Sequence, residues 1–136
     1  DFSDRLHTLS DIRTLVHTEK RLPKYVAVAE GVVAGFAIAY PFRPEPTFAD
    51  TVKFTYWLQP SLTGRGIGTM LCNQLESECW QNGFRNVLVN ISSENSGSIR
   101  FHERRGYVHC GRFKGVVTKM GRTFDMVWMQ KELSNM

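Results

Sequence analysis

A glycine-rich segment in the middle of the chain carries the residue types most suggestive of chemistry. It reads "SLTGRGIGTMLCNQL" from Ser61 to Leu75, and Gly64, Gly66 and Gly68 fall within five residues. A glycine loop that leads into a helix presents backbone N–H groups and the positive end of the helix dipole, which together bind phosphate. The segment therefore predicts an anion-binding loop, and a glycine-rich turn without a ligand is the structural alternative.

The spacing of these glycines excludes two common nucleotide-binding loops. A P-loop has the pattern GxxxxGK[ST], and no lysine follows the last glycine here. A dinucleotide fingerprint has the pattern GxGxxG; Gly64 and Gly66 fit it, but Thr69 occupies the third glycine position. The remaining prediction is a loop that holds a pyrophosphate without the rest of a nucleotide site.

The elements predicted around this loop follow a mixed order, α-ββ-β-α-β-α-ββ. A tight turn at Glu30 and Gly31 separates the first two strands, and the strands are predicted at residues 25–29, 32–40, 51–59, 86–91, 107–117 and 123–130. Apolar residues at helical spacing predict helices at residues 1–21, between Gly66 and Gly83, and at residues 95–105. This order is typical of an α+β domain with some parallel pairing near the centre of its sheet.

The composition favours one ordinary globular domain over all 136 residues, with 42% hydrophobic and 22% charged residues. No run of about 18–20 apolar residues and no signal-peptide pattern is present, so we expect a cytoplasmic protein without a membrane span. The three cysteines, Cys72, Cys79 and Cys110, match no metal spacing. The net charge of +4 comes without a nucleic-acid motif or a dense basic run, so neither metal nor nucleic acid is expected.

Two motifs in the right order resemble those of the GNAT N-acetyltransferases. Gly66 and Gly68 supply the small residues of the family's [QR]-x-x-G-x-[GA] loop. The segment "NSGSIRFHERRGY", from Asn95 to Tyr107, is similar to the family's N-x-x-A-x-x-[FL]-[YH]-E-x-x-G-[FY] pattern. The resemblance covers residues 25–133 and is nearest to the phosphinothricin N-acetyltransferase branch, through "AYPFRP", "TVKFTYWL" and the closing stretch "GRFKGVVTKMGRTFDMVWMQKEL".

The resemblance implies an α+β GNAT fold: a mixed, mostly antiparallel sheet with helices beside it and a central parallel pair splayed at an acetyl-CoA site. It implies direct transfer of an acetyl group from acetyl-CoA to a neutral amine. His102 is then the expected proton donor to the departing thiolate, with Tyr107 in reserve. The expected cofactor-binding residues are Trp57, Leu58, Thr63, Gly64, Arg65, Gly66, Ile67, Gly68, Thr69, Asn95 and Ser98. For Asn95 a helix cap, and for His102 and Tyr107 simple packing, are the structural alternatives.

Three departures from the branch bear on these expectations. Thr63 stands where the family usually has Gln or Arg, so the loop is expected to hold its ligand mainly through backbone groups. Lys53 stands where the branch typically has a glutamate, the candidate base, and Glu45 stands where arginine is more common. The family's first strand and helix also have no counterpart ahead of residue 6, so an N-terminal segment is expected to be missing. The residues expected to bind the cofactor therefore match the family pattern better than the residues expected to bind the acceptor.

The expected acceptor is a small amino acid or analogue, acetylated at its α-amine. At pH 7 an α-amine is about 10–15% neutral and a lysine amine under about 0.1%, so an enzyme with a poor base favours the α-amine. Lys53 would attract the acceptor's carboxylate, and Asp125 matches an aspartate of the branch, with an ion pair as its alternative role. A peptide or protein N-acetyltransferase and a non-catalytic acyl-CoA-binding module are the two rival functions. Homodimers are common in the branch, but the sequence itself gives no independent sign of one.

Overall fold

The computed structural model describes residues 11–14, 22–29, 31–62 and 66–134, with backbone alone at 11–14. This part of the chain forms one seven-stranded sheet in the order β1-β2-β3-β4-β5-β7-β6. Two helices and two 3₁₀ turns, Pro46–Phe48 and Pro60–Leu62, accompany it. The elements are β1 (Asp11–Thr14), β2 (Lys24–Ala29), β3 (Val32–Pro41), β4 (Thr51–Leu58), α1 (Ile67–Gln81), β5 (Asn86–Ser92), α2 (Ser96–Arg104), β6 (Val108–Lys119) and β7 (Arg122–Glu132).

The prediction of a helix over residues 1–21 is wrong at Asp11–Thr14, which forms β1 along the edge of β2. Only Ile12 of the apolar residues that suggested this helix lies in the strand, and antiparallel pairing with β2 overrides their spacing. Residues 1–10 and 15–21 lie outside the described residues. The other predicted strands and helices are confirmed to within a few residues at their ends. In the described ranges no helix combines the length and apolar character needed to cross a membrane.

The parallel contact between β4 and β5 is very short. Residues 51–53 of β4 pair with residues 86–88 of β5, and every other strand pair of the described sheet is antiparallel. Beyond Lys53, β4 continues to Leu58 on β3 alone, while β5 continues to Ser92 on β7 alone. The two central strands therefore diverge and leave a gap, which confirms the predicted splayed GNAT fold.

The register of β4 on β3 determines which backbone groups face this gap. Gln59 N–H donates to Ala34 O over 2.9 Å, and the pairing runs on without a shift to Pro41. Hydrogen-bonded pairs alternate along an antiparallel ladder, so the odd-numbered residues of β4 bond to β3. Tyr56 and Leu58 consequently direct their N–H and C=O groups away from β3 and into the gap.

The two faces of the sheet differ in how far other elements cover them. One face is buried under α1, which contributes Ile67, Leu71, Leu75 and Cys79 to the core at helical spacing, while Met70 of the same predicted stripe is 41% exposed. The side chains between these core positions lie on the other face, which we call the open face; in β4, β5 and β7 they are half-buried or exposed. The open face includes Phe36, Lys53, Trp57, Asn90 and Trp128.

A substitution at Gly35 tests the close approach of β3 to the end of β4. A Cβ atom there would lie 2.6 Å from Trp57 O and 2.8 Å from Leu58 Cδ2, so Gly35→Ala must push the gap-lining end of β4 away. We expect a loss of about 1–3 kcal/mol in the free energy of unfolding, measured by urea denaturation. Gly97→Ala in α2 is the control, because its Cβ would meet only Asn95 Oδ1 at 3.9 Å. An equal effect of both substitutions would contradict this packing.

Candidate active site

The N-terminus of α1 borders the gap and carries the described part of the predicted loop. Gly66 is its N-cap residue at φ 84°, without a side-chain cap, and the first turn holds no acidic residue. The first N–H groups of a helix have no intrahelical acceptor, and the helix dipole is positive there. Residues 66–69 therefore offer donors for an anion, and the binding of one stays a prediction. Thr63, Gly64 and Arg65 lie outside the described residues, so their contacts stay predictions.

Gly68 lets three elements meet at the gap. A Cβ atom at this position would lie 3.3 Å from Leu58 Cδ1 and 3.8 Å from the ring of Phe101. The end of β4, the start of α1 and the middle of α2 thus approach closely because residue 68 has no side chain.

Of the two β4 residues predicted to bind the cofactor, only Leu58 directs its backbone into the gap. Trp57 is paired with Phe36 of β3, and its ring stacks on Phe36 on the open face with centroids 5.9 Å apart. Tyr56, whose backbone also faces the gap, was not predicted. Strand alternation alone indicates that neighbouring residues face opposite ways, but the choice between them required the register.

Asn95 and Ser98 form the N-terminal cap of α2. Asn95 Oδ1 accepts a hydrogen bond from Ser98 N–H over 3.1 Å, which confirms the structural alternative for Asn95. Their contacts with a cofactor stay predictions. The carbonyl of Ser98 also accepts a hydrogen bond from Nδ1 of His102 over 2.8 Å, so this cap and the predicted proton donor are linked.

His102 lies in a cage of aromatic rings and is only 3% exposed. Its ring centroid is 4.9 Å from that of Tyr107, 5.1 Å from that of Phe101 and 5.7 Å from that of Tyr56. Because Ser98 O only accepts, Nδ1 carries the proton and Nε2 bears the lone pair. Nε2 is buried and has no hydrogen-bond partner among the described residues. Burial lowers the pKa of His102 and outweighs the Ser98 bond, so the ring is neutral at pH 7.

A buried carboxylate that the motifs did not predict organises the helix side of the site. Glu76 of α1 is 2% exposed, and its Oε1 is 2.8 Å from Lys131 Nζ of β7 and 3.2 Å from an Arg105 guanidinium nitrogen. Its Oε2 accepts a hydrogen bond from Tyr107 O–H over 2.8 Å. A glutamate within the apolar stripe of α1, between Leu75 and Cys79, was the available signal in the sequence.

Two further groups connect Glu76 to the gap-lining strand. Tyr56 O–H donates to Cys72 Sγ over 3.0 Å, and Cys72 S–H donates to Glu76 Oε2 over 3.2 Å. Burial raises the pKa of Tyr107 well above its ordinary value, and its proton is held by Glu76. The predicted reserve role of Tyr107 as an acid stays a prediction, while its packing in the core is confirmed.

The two residues predicted on the acceptor side have different surroundings. Lys53 lies on the open face, with Nζ 5.8 Å from the ring centroid of Trp128. Asp125 accepts hydrogen bonds from Gly115 N–H over 2.8 Å and Arg112 Nε–H over 2.7 Å, and these bonds hold the pKa of its carboxyl below the usual range. The alternative role of Asp125 in an ion pair is thus confirmed, and binding of an acceptor by either residue stays a prediction.

The surroundings of Glu45, of the three cysteines and of the possible metal ligands are simple to describe. Glu45, on the loop after β3, forms an exposed ion pair with Arg43 over 2.6 Å. The thiols of Cys72 and Cys79 are buried, and that of Cys110 is exposed. Within the ranges the structure describes, no group of three or more His, Cys, Asp or Glu side chains is placed to hold a metal ion.

Comparison with known proteins shows which family and which solved structures this chain resembles. Residues 2–107 match the Acetyltransferase (GNAT) family. An L-amino acid N-acyltransferase from Escherichia coli is 32% identical over 82% of this chain and 64% of its own length. The structure of a GNAT superfamily phosphinothricin acetyltransferase from Sinorhizobium meliloti, in complex with AcCoA, superposes with a TM-score of 0.78 at 34% identity, over 82% of this chain and 61% of that chain.

A third similar protein carries a name that indicates a protein acceptor rather than a free amino acid. The structure of a ribosomal-protein-alanine N-acetyltransferase from Brucella melitensis has a TM-score of 0.76 and 31% identity, over 97% of this chain and 90% of that chain. By contrast, the chain spans only 58–64% of the length of the first curated relatives it matches.

Removal of the Glu76 charge tests the buried network. Glu76→Gln leaves the Lys131 and Arg105 cations without their shared anion, so we expect the free energy of unfolding at pH 7 to fall by about 3–5 kcal/mol, measured by urea denaturation. Glu45→Gln, at an exposed pair, is the control and should change stability little. A similar small effect at both positions would show that Glu76 does not carry this network.

The pH dependence of stability gives the same network a second test. Burial alone would raise the pKa of Glu76, but hydrogen bonds from Lys131, Cys72 and Tyr107 and the charge of Arg105 hold it below its usual value. Because the folded pKa is depressed, the contribution is present above the unfolded pKa of about 4.3 and is lost as pH falls through the folded value. Urea denaturation between pH 5 and pH 3 should show a steeper loss of stability in the native sequence than in Glu76→Gln.

Proposed function

The chain belongs to the GNAT acetyltransferase family, and from this premise we propose that it transfers the acetyl group of acetyl-CoA to the α-amine of a small amino acid or analogue. The main support for this proposal is the gap between β4 and β5. Pairing between the two strands ends at Lys53, so the backbone groups of Tyr56 and Leu58 that face the gap have no partner on β5. An extended ligand that enters the gap can take the place of that missing strand.

The described residues fit acetyl-CoA on two counts. The backbone of Tyr56 and Leu58 would bind the amide-bearing arm of the cofactor, and the free N–H groups at residues 66–69 would hold its pyrophosphate. Thr63 lacks the long donor that the family usually has there, so binding would depend on backbone groups, with Arg65 as a further donor. When bound, acetyl-CoA supplies an activated acetyl group as a thioester.

The acceptor side favours a low-pKa amine that carries an acidic group. Lys53 occupies the position of the expected glutamate base and lies on the open face where the gap begins. Its positive charge would attract a carboxylate, and a nearby cation also disfavours the protonated form of the acceptor amine. Both effects favour free amino acids, whose carboxylate can pair with Lys53 and whose α-amine is less basic than a lysine side chain.

His102 is our proposed carrier of the proton that the leaving thiolate receives. Nε2 is the ring nitrogen without a partner among the described residues, and the ring lies beside Tyr56 of the gap. Since burial lowers the pKa of His102, the ring would not store a proton at rest; its Nε2 would take up the proton that the amine loses on acylation and would pass it to the thiolate. A cytoplasmic location stays a prediction from the sequence, and a homodimer stays one from the resemblance.

An acceptor panel tests the proposed function. Thiol release would be measured at saturating acetyl-CoA with free amino acids and their phosphinate or sulfone analogues, with N-terminal peptides, and with peptides whose only amine is a lysine side chain. We expect the free amino acids to have the highest kcat/KM, and the rate to rise with pH as the acceptor amine loses its proton.

The other outcomes of this panel separate the rival functions. Faster turnover of N-terminal peptides would replace the proposal with peptide acetylation, which the similarity to the Brucella melitensis protein favours. Calorimetric binding of CoA at one equivalent, without thiol release from any amine, would indicate a non-catalytic binding module.

His102→Asn tests the proton carrier. Asn keeps an N–H group that reaches Ser98 O but lacks the second ring nitrogen, so we expect kcat to fall about 100-fold with little change in the KM for acetyl-CoA. His102→Gln, which places a polar atom near the Nε2 position but cannot carry a proton, should not restore kcat, and a recovery of kcat in this variant would contradict the proton-carrier role. A loss of thermal stability with kcat within threefold of the native value would show that the ring only packs.

A further inference from the structure

Trp128 occupies the centre of the open face. It lies on β7 opposite Asn90 of β5, and its ring makes edge contacts with Phe42 and Phe113, with centroids 6.5 Å and 6.3 Å apart. The aromatic group formed by Phe42, Phe113 and Trp128 joins the loop after β3 to the outer strand β6. It provides an apolar wall beside the point where β4 and β5 diverge.

Lys53 and Trp128 are in contact across β5. The Lys53 ammonium lies 5.8 Å from the centroid of the Trp128 ring, a distance at which a cation is attracted to the ring face. Lys53 is also the last residue of β4 that pairs with β5, so this contact holds a flexible cationic side chain at the apex of the gap.

The indole N–H of Trp128 lacks an acceptor. Nε1 is buried and has no hydrogen-bond partner among the described residues. An indole nitrogen can only donate, and buried donors are nearly always hydrogen-bonded. We therefore expect this N–H to donate to an acceptor oxygen. Because Nε1 is buried, an acceptor oxygen can reach it only when a neighbouring side chain moves, and the Phe113 ring, in contact with Trp128 and 57% exposed, has room to do so.

We propose that Trp128 is a specificity-determining residue of the acceptor site: its ring positions the Lys53 ammonium, and its N–H donates to the same acidic group of the acceptor. This assignment rests on the proposed function. The acidic group is a carboxylate or a phosphinate, since either brings a charged oxygen to two donors. The apolar wall would hold the side chain of the same acceptor.

Kinetics with paired acceptors test the assignment. Trp128→Phe keeps a ring over which Lys53 can lie but removes the N–H, so we expect the KM for a free amino acid to rise about 3- to 10-fold. The KM for the corresponding amino acid amide, which lacks the charge, should stay within twofold, as should kcat and the KM for acetyl-CoA. Lys53→Met should raise the KM for the acid further, and by a larger factor than the KM for the amide, since only the acid loses its ionic partner. A phosphinate analogue, run in parallel, identifies the preferred acidic group.

Trp80→Phe is the matched control, because Trp80 lies on α1 against Arg85 and away from the open face. It should leave both acceptors unaffected. A rise in KM for the acid and the amide alike in Trp128→Phe would overturn the assignment, because the residue would then act through packing alone.

A readout independent of turnover separates this proposal from the proposed function. The three tryptophans give separate indole ¹⁵N–¹H signals, and Trp128→Phe identifies the one that belongs to Trp128. That signal should shift on addition of the amino acid and not on addition of its amide. If no amine is acetylated yet the signal shifts, the proposed function fails and the binding site stands. If amino acids are acetylated and the signal does not move, the Trp128 assignment fails alone.

Discussion

The short parallel contact between β4 and β5 is the constraint on which the site depends. Only residues 51–53 and 86–88 pair, yet each strand continues on an antiparallel partner, β4 on β3 and β5 on β7. The unpaired backbone groups of Tyr56 and Leu58 therefore belong to a strand that is held along its other edge. Donors fixed in this way lose little conformational freedom when a ligand arrives, so the gap is an ordered binding surface.

The Glu76 network keeps the helices in place over this gap. The carboxylate lies on α1 but bonds to Lys131 of β7 and to Tyr107 just after α2, residues 55 and 31 positions away in sequence. Burial of three charges carries a desolvation cost that apolar residues would avoid, and removal of one partner is far more costly than replacement of all three. The network thus contributes mainly by allowing one arrangement of α1, α2 and β7. Through Cys72 and Tyr56 that arrangement reaches the gap itself.

Local patterns in the sequence predict the helices and strands well, because a glycine turn, a cap and a strand are short-range features. Asn95 caps α2 and Gly66 begins α1 as predicted. The features that sequence reasoning missed depend on contacts between distant segments. The register of β3 on β4 decides that Leu58, and not Trp57, faces the gap. The pairing of Asp11–Thr14 with β2 overrides a helical pattern. The partners of Glu76, and the Arg112 contact that occupies Asp125, likewise require the assembled sheet.

The exchange of a glutamate for Lys53 changes how the acceptor amine can be made reactive. A glutamate base removes a proton from the amine and so serves acceptors of high pKa. A cation at the same place removes none; it instead shifts the amine equilibrium towards the neutral form and attracts an acid group on the same molecule. The contact with Trp128 holds that cation where the strands part, beside an indole N–H that has no partner among the described residues. In the proposed mechanism, electrostatic selection of the acceptor thereby takes the place of a carboxylate base at this position.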